Sequence, residues 1–170
     1  RGGEREAVEQ AVAAGADQRL LATAARIVRR VPVGVVVVSD TRLRAALPTI
    51  RALQAKGCKI ALLAHFDRPK GKRVPEMSLK QILSQLARAL DSVDGLLFVE
   101  DCVGDNVNAA LDALPPGGVV LLENVRFHPG EEANDPAFAK ALAANFDFYV
   151  NDAFSAAHRA HASTEGLGHK

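Results

Sequence analysis

From Asp40 onward, short unbroken apolar runs alternate with longer stretches in which apolar residues recur at helical spacing. The runs are "CKIALLAH" (58–65), "GLLFVE" (95–100), "GVVLLEN" (118–124) and "FDFYVN" (146–151). None alternates apolar with polar positions, so each reads as a strand buried on both faces, as parallel strands are. The earlier run "VGVVVV" (33–38) reads as a further strand. In "LRAALPTIRALQAKG", Leu43, Leu47, Ile50 and Leu53 recur near helical spacing and Gly57 supplies a stop, while Pro48 is expected to kink or restart the helix. "SLKQILSQLARALD" offers Ser78 as cap and then Leu79, Ile82, Leu83, Leu86 and Leu90 on one face. "GDNVNAALDAL" (104–114) and "DPAFAKALAANF" (135–146) read as helices, the latter with Asp135 as cap and Pro136 at the first helical position.

This order implies a single α/β domain over residues 1–170, a three-layer α/β/α arrangement around a mostly parallel sheet with right-handed crossovers. Ligands bind such sheets outside the carboxyl ends of the strands. The first 30 residues fit less well. "EREAVEQAVAA" and "QRLLATAARIVRR" are helix-prone, joined at Gly15, and can form a helical hairpin on the sheet or a frayed extension.

Composition narrows the function classes. Hydrophobic residues make up 48% and charged residues 24% of the 170, a globular balance. With 21 Lys plus Arg against 20 Asp plus Glu, the net charge of +1 gives no reason to expect wholesale binding to nucleic acid or an anionic membrane. No apolar stretch reaches the roughly 18 residues of a membrane span, and the polar start lacks a signal-peptide core, so a cytoplasmic protein is expected; a monomer is expected as well. Cys58 and Cys102 are spaced neither as a metal knuckle nor as a redox pair and read as buried apolar fillers. His and Cys are too dispersed for a zinc site, and neither GxxxxGK[ST] nor GxGxxG occurs. No metal is expected.

The residues following the strands carry the candidate chemistry. After "IALLA" come His65, Phe66, Asp67, Arg68 and Lys70; after "VVLLEN" come Arg126 and His128; after "DFYVND" come His158, Arg159 and His161; "SDTRLR" adds Asp40, Arg42 and Arg44. A parallel sheet brings its strand ends to one edge, where such guanidiniums repel one another unless an anion stands among them. Arg offers bidentate donors suited to phosphate or carboxylate, so the pattern points to a small polyanion. Taken singly, each Arg can equally be a salt-bridged surface residue, and His128 and His161 can simply bond backbone in loop turns. The basic loop "RPKGKR" (68–73) lacks the interleaved aromatics of a nucleic-acid surface.

"DTRLRAALPTI", "AHFDRPKGK", "SLKQIL", "EDCVG", "LLENVRFHPGEEANDPAFAKALA" and "YVNDAFSAAHRAHASTEG", in this order and spacing, resemble the N-terminal lobe of phosphoglycerate kinase from about Val31 to the end. The resemblance implies a Rossmann-like lobe that binds 3-phosphoglycerate or 1,3-bisphosphoglycerate, in an enzyme that exchanges a phosphoryl group between the acyl phosphate and ADP. It implies that Arg42 stands near the transferring phosphoryl group as the catalytic arginine. His65, Phe66, Asp67 and Arg68 match the substrate loop, and Arg126 and Arg159 match phosphate contacts. Mg-ATP and Mg-ADP belong to the family's C-terminal lobe, so no cofactor is expected in this chain, which alone is expected to be inactive.

The sequence departs from the family pattern in places. Val28, Arg29 and Arg30 stand where the family has the Asp and Asn of an Asp-Phe-Asn-Val-Pro motif, and everything upstream of Val31 looks unlike the family. Replacing the family's first strand by helix-prone sequence is expected to remove a central sheet element and expose an edge. Asp67 occupies a position where many members have Gly; its carboxylate can pair with Arg68 and weaken anion binding, or the position can simply tolerate variation. The sequence stops at "GLGHK", before any nucleotide lobe. The competing expectation is a non-catalytic remnant or a small-anion-binding domain.

Overall fold

The computed structural model describes residues 33–39, 43–91, 96–152 and 159–169. Their strands are β1 (Val33–Ser39), β2 (Lys59–His65), β3 (Leu96–Val99), β4 (Val119–Leu122) and β5 (Phe148–Asn151). Their main helices are α1 (Leu43–Ala55), α2 (Leu83–Ala89), α3 (Asp105–Ala113), α4 (Pro129–Glu132) and α5 (Pro136–Ala143). The strands form one five-stranded sheet in the order β3-β4-β2-β1-β5, and every pairing is parallel.

Side chains alternate across β2 and β4, so each strand feeds two cores. Ile60, Leu62, Ala64, Val119 and Leu121 meet Ala46, Ile50 and Leu53 of α1, with Leu79, Leu86 and Leu90. Ala61, Leu63, Val120 and Leu122 meet Val107 and Leu111 of α3 and Ala139 and Leu142 of α5. Helices on both faces of a parallel sheet make the expected three layers.

The sheet has no gap at its centre. β1 lies between β2 and β5, with Gly34 in register with Ile60 on one side and Phe148 on the other. Val33 N–H donates to the Asp147 carboxylate at 2.9 Å, and Asp147 N–H donates to the Val33 carbonyl at 2.7 Å. A Cβ on Gly34 would overlap the Phe148 ring, so this position accepts no larger side chain without repacking. The expected loss of a central strand is therefore corrected: "VGVVVV" itself takes that place. The helix-prone stretches before residue 31 lie outside the described residues.

Other boundaries shift for local reasons. α1 runs through Pro48 without ending or restarting; the ring stands on the exposed side, where water can serve the carbonyl one turn back. Gly57, at φ +73°, closes α1, and Cys58 N–H donates to the Leu53 carbonyl at 3.1 Å. Ser78 does cap, accepting from Lys80 N–H, but the turn it starts is 3₁₀ over Leu79–Ile82 before α2 begins. Asp135 caps α5 through Ala137 N–H at 2.9 Å, with Pro136 first in the helix. β3 is not buried on both faces: it is the sheet's edge, and Leu97 is 43% exposed. Both cysteines are buried, and Cys102 Sγ also donates to the Glu123 carbonyl at 2.8 Å. Among the described residues no helix is long and apolar enough to cross a membrane, and no group of His, Cys, Asp and Glu could hold a metal ion.

Candidate functional site

Because β2 and β4 are neighbours, the loops leaving their carboxyl ends lie side by side. Asn124 joins them. It is fully buried, and its amide spends every polar valence on backbone. Oδ1 accepts from Phe66 N–H (3.3 Å) and Arg126 N–H (3.2 Å), while Nδ2 donates to the carbonyls of Phe66 (2.7 Å) and Met77 (2.9 Å). Beside it the buried Glu123 accepts from Ser78 Oγ at 2.7 Å and Leu79 N–H at 2.8 Å. The loop that starts at Phe66 is thus hooked to the sheet at both ends.

Arg126 follows in a 3₁₀ turn over Val125–Phe127 and is only 4% exposed. Its Nη1 donates to the Asp67 carbonyl at 2.7 Å. Nε and Nη2 are buried without a hydrogen-bond partner among the described residues, and Glu132 Oε1 lies 3.7 Å from Nε. Burial lowers the Arg126 pKa; Glu132 opposes the shift, while Arg159 and Arg68 add to it. A guanidinium that leaves two donors unserved in the interior is costly, and an incoming anion relieves that cost.

Asp67 sits at φ +54° in the left-handed region, which aims its carbonyl at Arg126. Glycine adopts that conformation without penalty, and aspartate tolerates it better than most residues. Asp67 and Arg68 are both exposed, and no ion pair joins them among the described contacts. Of the two readings of Asp67, the Arg68 pair is not seen among the described contacts; Asp67 meets Arg126 instead, through its backbone carbonyl.

The third segment arrives from β5. Arg159 and His161 are half-buried, and the carbonyl of Arg159 accepts from Thr164 Oγ1 at 2.6 Å. Burial lowers the His161 pKa, and Arg126 and Arg159 push it further down against Glu132. The fold therefore brings Arg68 and Arg159 within electrostatic reach of Arg126, and Arg126 and Arg159 within reach of His161. His65 and Phe66 sit at the root of the same loop, both half-buried, with Phe66 also packed against the core beneath α1.

Arg42, Asp40 and His158 lie outside the described residues, and Arg44 lies in α1. His128 does not join the cluster. Its Nε2 is 2.8 Å from the Asp101 carboxylate, and its ring stacks on Phe138 at 4.7 Å, so it bonds a side chain rather than loop backbone. Sequence reasoning missed Asn124, Glu131, Glu132 and Ser163. The available signal was their position: polar residues in two dense motifs directly after buried strands.

A family model described as phosphoglycerate kinase matches residues 24–170, so the similarity reaches upstream of Val31. The chain is 64% identical over 143 residues to the phosphoglycerate kinase of Caulobacter vibrioides, covering 84% of the chain and 36% of that relative. It is 58% identical over 145 residues to that of Brucella suis, covering 85% and 36%. Its fold superposes on the structure of phosphoglycerate kinase from Coxiella burnetii with a TM-score of 0.71 and 30% identity, covering 84% of the chain and 38% of that structure. For the enzyme from Pyrococcus horikoshii OT3 the TM-score is 0.70 at 27% identity, covering 81% and 38%. The chain spans about a third of the length of the curated relatives it matches.

Proposed function

The chain belongs to the phosphoglycerate kinase family, and we propose that it supplies the surface that holds 3-phosphoglycerate, or 1,3-bisphosphoglycerate, for reversible phosphoryl transfer with ADP. The observation that carries this reading is Arg126, a buried guanidinium with Nε and Nη2 unserved and with Arg68 and Arg159 within electrostatic reach. Phosphoryl transfer asks little covalent chemistry of the protein and much positioning and charge neutralisation. Arg126 and Arg159 would take the anionic groups of the ligand, and Arg68 would add charge from the loop that Asn124 pins. Arg42 would face the transferring phosphoryl group. Mg-ATP or Mg-ADP would be held by the C-terminal lobe that the family resemblance implies.

Titration with 3-phosphoglycerate, followed through backbone amide shifts, tests the reading. Saturable shifts at Arg42, Arg68, Arg126 and Arg159 are expected, and their absence would sink it. Equal shifts with inorganic phosphate would reduce the site to a small-anion binder. Incubation of the chain alone with 3-phosphoglycerate and Mg-ATP is expected to give no turnover.

A further inference from the structure

The one-turn helix α4 carries adjacent carboxylates with opposite surroundings. Glu132 is 40% exposed and lies beside Arg126. Glu131 is buried, with its side chain only 2% exposed. Its Oε2 accepts from Ser163 N–H at 2.9 Å and its Oε1 from Ser163 Oγ at 2.6 Å, with His161 Nδ1 3.7 Å from Oε1. The contact spans 32 residues of sequence and lands in the wide π-type turn over Ala162–Gly166, just after Arg159 and His161.

We propose that Glu131 is a positioning residue for the anion site: its carboxylate grips Ser163 and so fixes where Arg159 and His161 stand relative to Arg126. The grip continues along the segment. Thr164 Oγ1 reaches the Arg159 carbonyl at 2.6 Å, and Tyr149 Oη donates to the Ser163 carbonyl at 3.1 Å. Burial raises the Glu131 pKa, which the Ser163 hydrogen bonds and Arg126 oppose. An apolar residue would fill the same space without a desolvation cost. A carboxylate instead satisfies both Ser163 donors and supplies a counter-charge to cations that would otherwise drive the segment away.

This inference deepens the proposed function and rests on it for its ligand, 3-phosphoglycerate. Two effects of removing the Glu131 charge have opposite signs. Electrostatics alone makes the site more positive and tightens anion binding; loss of positioning weakens it. Glu131→Gln and Ser163→Ala in the full chain are each expected to weaken 3-phosphoglycerate binding by at least roughly fivefold, the effect of losing one well-placed hydrogen bond. Glu132→Gln, which removes a neighbouring charge without touching the segment, is expected to tighten it. In an Arg159→Ala background the Glu131→Gln effect should shrink, because only the part acting through His161 is left. Unchanged or tighter binding by both Glu131→Gln and Ser163→Ala, or a Glu131→Gln effect undiminished without Arg159, overturns the inference while leaving the proposed function intact.

If the parent chain binds no 3-phosphoglycerate, the proposed function fails, and the positioning is read from amide hydrogen exchange without ligand. Faster exchange confined to residues 159–165 in Glu131→Gln and Ser163→Ala supports the grip. Unaltered exchange there overturns it.

Discussion

Arg126→Met separates an anion-binding arginine from a structural strap. In the free chain the substitution removes the bond from Nη1 to the Asp67 carbonyl, a charge-assisted contact of about 1.5–3 kcal/mol. It also removes the buried, unserved Nε and Nη2, each of which costs about 1–3 kcal/mol where it stands. Glu131 and Glu132 lose a counter-charge, while Arg159, Arg68 and His161 lose a repulsive neighbour. These contributions oppose one another, so free-chain stability should change by less than about 2 kcal/mol, as when buried ionic groups give way to apolar ones of similar volume. The bound state has no such compensation. Losing even one charge-assisted bond to the ligand costs about 1.5–3 kcal/mol, roughly a 10- to 150-fold loss of 3-phosphoglycerate affinity. Urea denaturation without ligand gives the first quantity and an amide-shift titration gives the second. Affinity retained within about threefold refutes the site. A stability loss beyond about 4 kcal/mol would refute the compensation argued for the free chain.

Other outcomes follow from individual residues. Asp67→Gly relieves the left-handed strain and should raise stability by about 0.5 kcal/mol, net of the entropy glycine loses on folding. Asp67→Asn keeps the backbone preference and removes the charge, so tighter 3-phosphoglycerate binding by both variants assigns the effect to the carboxylate, and weaker binding by both contradicts it. Asn124→Ala orphans backbone groups of Phe66, Met77 and Arg126 and should cost about 2–4 kcal/mol in urea denaturation. His161 should titrate below 6.5 in the free chain by proton NMR and shift upward when 3-phosphoglycerate is added, since the anion offsets Arg126 and Arg159. Because its folded pKa is depressed, the stability it contributes is complete above about 6.5 and is lost as pH falls through the folded value; ligand affinity should rise over the same interval. A His161 pKa unmoved by ligand would place the anion elsewhere.

The sheet and its crossovers were legible because unbroken runs such as "IALLA" and "VVLL" admit few other readings once helical periodicity lies between them. Gly57, Ser78 and Asp135 announced helix ends through local backbone chemistry. Pro48 does not restart α1, because a proline's cost depends on which side of the helix faces water, and that is decided by packing. Arg126 was legible as a strand-end cation through its place after β4, but its burial was not, since arginine is ordinarily a surface residue. Asn124 and Glu131 were illegible for a related reason: their partners lie 58 and 32 residues away, beyond any local pattern. His128, open to a loop-turn reading, bonds the Asp101 carboxylate, a partner 27 residues away that no local pattern announces.

The central place of β1 has a consequence for biosynthesis. β1 acquires one neighbour when β2 is made, but its other neighbour, β5, begins only at Phe148, about 80 residues beyond the end of β2. At roughly 5–20 residues per second, the ribosome needs on the order of 4–16 s to deliver it. Throughout that interval "VGVVVVS" presents a bare, uncharged, valine-rich edge, the composition that recruits foreign strands. The nascent chain is therefore most exposed to aggregation before its sheet can close, and slowed translation between β2 and β5 should lower its yield more than slowing elsewhere.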